Sequence, residues 1–107
     1  MAVAAPVSVE EYLNGTYRPD CDYIDGELLE RNTGELSHGQ MQLNVGAWLR
    51  ARRQSLRIVA VAGVRLRINA RRYRIPDVMV ISADAPREQV VITPPLVCIE
   101  ILSPATP

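Results

Sequence analysis

The chain has 107 residues, 48% hydrophobic and 22% charged, and its twelve basic and twelve acidic residues cancel to zero net charge. That length limits it to one domain, able to bury about 65% of its unfolded surface, and that composition excludes an intrinsically disordered chain. The charge is unevenly placed. Residues 1–36 carry eight acids against Arg18 and Arg31, whereas residues 37–75 carry no acid and nine arginines, from Arg50 to Arg74. Every basic residue is arginine; there is no lysine. Such a block either tracks a phosphate backbone or forms a solvated surface, since these arginines need not share a face.

The first residues, Met1-Ala2-Val3-Ala4-Ala5-Pro6, lack a basic flank and are broken early by proline. They do not read as a signal peptide, and no apolar run reaches membrane-spanning length. A cytoplasmic protein with no membrane partner is expected. Cys21 and Cys98 lack metal-ligand spacing, and Cys98 reads as a small core residue. Ser8 and Glu11 make a capping box for a short helix, stopped by Gly15. Asp25-Gly26 predicts a two-residue hairpin turn between strands 22–24 and 27–30.

A long helix is expected from about Ser37 to Gln54, opened by a second capping box of Ser37 and Gln40. At helical spacing His38, Met41, Val45, Trp48, Leu49 and Arg52 share a stripe. Its Met41–Leu49 part should face the core, with Trp48 buried and His38 turned inward. Strands follow. Segments 56–62 and 64–69 should form a hairpin at Gly63, with 64–68 apolar on one face and basic on the other. Residues 71–74 read as a loop or strand edge. Asp77 to Ile81 reads as a strand entered through Pro76. Ala83 to Pro95 reads as a surface loop, and Leu96 to Leu102 as a last strand stopped by Ser103-Pro104. These elements predict an α/β (α+β) domain, a mixed sheet flanked by helices, spanning residues 1–107.

The last run, Leu96-Val97-Cys98-Ile99-Glu100-Ile101-Leu102, is apolar on both faces, as a buried central strand would be. Glu100 interrupts it. An unpaired carboxylate in such a place costs several kcal/mol or more, so it needs a cation. Asp77 lies at the start of another apolar run. Two carboxylates on two strands can hold Mg²⁺, with water and phosphate filling its other positions. The competing explanation is ion pairing: Asp77 with a nearby arginine such as Arg74, and Glu100 with another. The expected helices cover only one face of the last strand. The isolated chain should therefore form a homodimer, aggregate or be marginally stable.

Four pieces stand in order along the chain. They are Tyr23-Ile24-Asp25-Gly26-Glu27-Leu28, His38 opening a helix, Pro76-Asp77-Val78, and Pro94-Pro95-Leu96-Val97-Cys98-Ile99-Glu100-Ile101-Leu102-Ser103-Pro104. Together they resemble the restriction endonucleases of the Uma-two type, within the PD-(D/E)XK nuclease superfamily. The resemblance runs from about Ser8 to the end of the chain. It implies a restriction-endonuclease-like core and DNA cleavage dependent on Mg²⁺ (or Mn²⁺), with Asp77 and Glu100 as metal ligands. It also implies that Glu27 and His38 belong to the catalytic site. The chain departs from the pattern at its end. By resemblance, the catalytic lysine belongs to a helix after the last strand, so the domain reads as C-terminally truncated. Arginine cannot replace that lysine as a base, because it stays protonated. The alternative is a non-catalytic nucleic-acid-binding or interaction remnant. A truncated product with no function of its own is a third reading.

Overall fold

The computed structural model describes residues 5–31 and 34–102. In chain order the elements are α1 (Val9–Asn14), β1 (Cys21–Ile24), β2 (Glu27–Glu30), α2 (Leu36–Ala51), α3 (Arg53–Leu56), β3 (Ile58–Val61), β4 (Leu66–Asn69), β5 (Arg72–Arg74), β6 (Val78–Ser82) and β7 (Val97–Ile99). The α+β architecture expected from the sequence is present. Its strands divide into two antiparallel sheets, ordered β2-β1-β5-β4 and β3-β6-β7. A parallel bridge from Leu66 to Val91 ties the loop after β6 to β4.

Local chemistry explains the first half. Ser8 accepts the Glu11 N–H at 3.0 Å and caps α1. Asp25 and Gly26 both have positive φ, 49° and 94°, as a type I′ hairpin turn requires. The turn is also tight: a Cβ on Gly26 would lie 2.9 Å from Pro6 Cβ. The first sheet then closes over three buried tyrosines, Tyr12, Tyr23 and Tyr73. The Tyr12 ring lies 5.0 Å from that of Tyr23 and 5.8 Å from that of Tyr73. Two of the polar tips find carbonyls, with Tyr12 donating to that of Cys21 at 2.7 Å and Tyr23 to that of Val7 at 2.6 Å. Burial raises the Tyr12 pKa to about 12, with Asp22, Cys21 and Tyr17 adding to it against Arg65, so the hydroxyl stays a donor. A second core, Leu66, Met79, Ile81 and Val91, joins β4 to β6.

Several expectations need correction. The strands around Gly63 do not form a hairpin: β3 pairs with β6, and β4 pairs with β5 in the other sheet. Gly63, at φ 69°, marks the crossing between sheets. Residues 72–74 are not an edge, since β5 lies between β1 and β4. The long helix is N-capped at Glu35 rather than Ser37, and no side chain supplies the cap bond. It stops at Ala51, and α3 ends at Arg57, whose φ is 53°.

The apolar stripe of α2 is not core. No residue of α2 is buried; Met41 is 51% exposed and Trp48 54%. The helix instead turns Gly39, Gln42, Leu43, Gly46 and Arg50 toward β3 and β6, leaving a groove of about 470 Å³ between them. The last strand is likewise not central. β7 is the edge of its sheet, Leu96 and Val97 are 59% and 48% exposed, and Cys98 is exposed. Among the described residues nothing pairs with its outer side. The stop expected at Ser103-Pro104 lies outside the described residues.

Candidate active site

Antiparallel register brings the two candidate acids together. β6 and β7 pair Val80 with Val97, Met79 with Cys98 and Val78 with Ile99. One step further along the same register, Asp77 faces Glu100. Side chains directly opposite on an antiparallel pair lie on the same face, with Cβ atoms about 5 Å apart. The Ile101 N–H continues the approach and donates to Asp77 Oδ2 at 2.7 Å. From the other side α2 contributes two contacts. His38 Nε2 lies 3.3 Å from Asp77 Oδ2, and the Gln42 amide donates to the Asp77 carbonyl at 2.7 Å.

The cation between the acids is Arg31. Its Nη2 donates to Asp77 Oδ1 at 3.0 Å and to Glu100 Oε2 at 2.8 Å, while Nη1 lies 3.5 Å from Asp22 Oδ2. The backbone fixes where this side chain starts. Arg31 donates its N–H to the Asp20 carbonyl at 2.7 Å, one step past the Cys21–Glu30 pair of the β1–β2 ladder. Asp22 is buried and itself anchored, accepting the Ile75 N–H at 2.8 Å and approached by Arg74 Nη1 at 3.6 Å.

The two acids differ in setting. The Asp77 side chain is 11% exposed and that of Glu100 is 51% exposed. Burial alone would raise the Asp77 pKa. The Ile101 N–H, the Arg31 guanidinium and His38 outweigh it, and the net direction is down. Burial by itself also disfavours the charged guanidinium. Glu100, Asp22 and Asp77 more than compensate, so Arg31 is held protonated even more firmly than a free arginine. A recess of about 200 Å³ beside these groups is lined by Arg31, His38, Gln42, Pro76 and Asp77, among others.

The structure thus brings Asp77, Glu100 and His38 into one group and leaves Glu27 outside it. Glu27 is exposed at the turn end of β2, three residues from Glu30 and roughly 10 Å along the strand. It makes no hydrogen bond or ion pair with the group among the described residues. The premise that Glu100 is buried is also overturned, because β7 is an edge strand and Glu100 lies just beyond its end. Arg74 pairs with Asp22, not with Asp77.

Sequence reasoning missed Arg31, Asp22 and Gln42. Arg31 had a signal, being one of only two cations in an acid-rich segment. Asp22 also had one, standing between two residues, Cys21 and Tyr23, that the strand buries. The arginine-rich block is spread over several elements: Arg50 on α2, Arg53 on α3, Arg67 on β4, and Arg72 and Arg74 on β5. Arg65 donates to the Leu13 and Gly15 carbonyls. Arg50 is twelve residues from His38, about 18 Å along the helix axis. Arg52 lies 3.8 Å over the Trp48 ring.

Three comparisons bear on this geometry. A family model described as "Uma2: Putative restriction endonuclease" matches residues 9–106. A crystal structure titled as a "putative nuclease belonging to DUF820" from Anabaena variabilis ATCC 29413 superposes with a TM-score of 0.80 at 22% identity. That match covers 92% of this chain and 59% of the other, so the chain spans little more than half of the solved protein. No curated protein matches the sequence.

Proposed function

The chain belongs to the Uma2 family of restriction endonucleases, and from that premise we propose that it is a Mg²⁺- or Mn²⁺-dependent endonuclease domain that hydrolyses DNA phosphodiester bonds. The observation that carries this reading is one guanidinium nitrogen within hydrogen-bond distance of both Asp77 and Glu100. Two carboxylates from two strands converge on a single positive atom. The donor set suits a small hard cation, which takes one or two carboxylates and leaves its other positions to water and phosphate. Among the described residues no three His, Cys, Asp or Glu side chains cluster to hold a metal ion, so an ion would meet this pair rather than a protein cage.

When bound there, Mg²⁺ supplies Lewis acidity toward a phosphodiester oxygen and a nearby water. The protein's own groups prepare the place. Asp77 stays ionised because the Ile101 N–H, Arg31 and His38 favour its charged form. Gln42 holds the backbone of Asp77, and the β6–β7 register sets Glu100 opposite. His38 sets its Nε2 3.3 Å from Asp77 Oδ2. Arg31 stays protonated and cannot act as a base.

Isothermal titration with Mn²⁺ tests the reading. Wild type should bind one ion, and Asp77→Ala and Glu100→Gln should each lose most of that affinity. Wild type binding no more metal than Asp77→Ala would sink it. Glu100→Gln serves as the second variant because its half-exposed side chain is replaceable without threatening the fold.

A second reading is favoured by Arg31 itself. Its guanidinium already pairs with both acids, so the two carboxylates have a cationic partner without a metal. That reading expects DNA affinity that falls steeply with salt and needs no metal. Metal-dependent DNA binding would exclude it.

A further inference from the structure

We propose that Arg31 is the internal competitor for the metal position: a divalent ion reaches Asp77 and Glu100 by displacing its guanidinium, which stays tethered to Asp22. The inference rests on the metal-dependent reading above and goes beyond it by assigning a role to a residue outside the metal-holding pair.

The geometry has three parts. First, the atom between the two carboxylates is a single nitrogen, Arg31 Nη2, at 3.0 Å and 2.8 Å. An ion held by the same two oxygens needs the same space. Second, the two ends of the guanidinium are held differently. Nη2 serves the pair, whereas Nη1 faces Asp22 at 3.5 Å. Asp22 is fixed independently by the Ile75 N–H and by Arg74. The side chain therefore has an anchor that does not depend on Asp77 or Glu100. Third, Glu100 is half exposed and Arg31 is its hydrogen-bond partner. Glu100 is thus free to turn from one cation to another.

The sign of the effect follows from comparing two terms. Arg31 helps a metal by holding Glu100 in place beforehand, and freezing one side chain is worth about a few-fold in affinity. Arg31 hinders a metal because two charge-assisted hydrogen bonds to carboxylates must break first, and each of these is stronger than an ordinary one. The hindrance wins. Removing Arg31 should therefore tighten metal binding. A residue that only supported the fold would loosen it when removed, so the direction separates the two roles.

The test is Mn²⁺ titration of wild type, Arg31→Met and Arg31→Lys, read by calorimetry and by the Mn²⁺-dependent rise in Tm. Arg31→Met keeps the aliphatic stem and should bind on the order of tenfold or more tightly than wild type. It should also show the larger Tm rise at equal metal. Arg31→Lys keeps one charge but loses the fork, and should fall between them. It also keeps the test open if Arg31→Met does not fold. Equal or weaker affinity in the variants, with wild type binding normally, overturns the competitor role and leaves the metal-dependent reading standing. Absence of Mn²⁺ binding in all three proteins overturns both.

Discussion

The tyrosine-lined half of the molecule and the half formed by α2 and β7 are both built from apolar runs, yet only the first is closed. Tyr12, Tyr23 and Tyr73 bury their rings between α1 and the first sheet. Met41, Trp48, Leu96 and Val97 stay about half exposed. Hydrophobic content is therefore not what distinguishes them. In the closed half the three tyrosine rings pack on one another, and the Tyr12 and Tyr23 hydroxyls each have a carbonyl to donate to. In the open half Gly39, Gln42 and Gly46 of α2 line a groove against β3 and β6, and a Cβ on either glycine would meet open space. The candidate site lies between these halves. Arg31 reaches both acids from the closed side, while His38, Gln42 and the Ile101 N–H meet Asp77 from the open side.

The largest effect should come from the closed half. Tyr12→Ala removes a fully buried ring and the donor to the Cys21 carbonyl. We expect a loss of about 3–5 kcal/mol, in the range for deleting a core aromatic. Tyr12→Phe should lose only about 1 kcal/mol, the share of a single hydrogen bond. Urea denaturation of both variants checks this. A loss below about 1 kcal/mol for Tyr12→Ala would mean that the tyrosine cluster is not the closed core of the chain.

Asp77→Asn should come next, at about 2–3 kcal/mol near neutral pH, because it weakens charge-assisted bonds from Arg31 and leaves that cation short of a partner. The pH dependence has a definite sign. The folded-state pKa of Asp77 is lowered. Its contribution is thus fully present above the unfolded value, about 3.9, and is lost as pH falls through the lower folded value. Wild type should lose stability more steeply than Asp77→Asn below about pH 4. Parallel stability profiles for the two proteins across that window would show that Asp77 is not held in its charged form by the site.

Much of this was legible in the sequence where the signal was local. The Ser8 cap and the Asp25-Gly26 turn depend on neighbours in the chain, and both stand where they were expected. The pairing of strands was not legible. Gly63 reads as a hairpin turn until one knows that β3 finds β6 and β4 finds β5. Asp77 and Glu100 were recognisable as acids at apolar runs. The reason given for Glu100 was wrong, because an apolar run does not reveal whether its strand is central or at an edge. Arg31 escaped because its partners lie 46 and 69 residues away. Nothing in residues 22–35 marks that distance. The Trp48 stripe misled because periodicity identifies a helix face but not which face meets the sheet.

Glu100→Gln tests the open side of the site. Its contact with Arg31 joins a half-exposed acid to a guanidinium that keeps two other carboxylates. The stability cost should stay below about 1 kcal/mol, as for other solvent-screened pairs. Metal affinity, by contrast, should fall strongly in the same variant. A large stability loss would place Glu100 in the closed half after all.

The smallest effect should be at Trp48, and it addresses the open half most directly. Trp48 is 54% exposed, and its clearest contact is the Arg52 guanidinium 3.8 Å over its ring. An exposed cation–π contact is worth about 0.5–1 kcal/mol, so Trp48→Ala should cost about that much. The value should not change with protein concentration, because only a face covered by another copy gains stability by mass action. Denaturation of wild type and Trp48→Ala at two widely separated concentrations measures both quantities. If the cost exceeds about 2 kcal/mol and grows with concentration, the stripe that the sequence marks as core is buried between copies in solution. The homodimer expected from the sequence would then supply the cover missing from this half, and the contrast between the two halves would belong to the single chain alone.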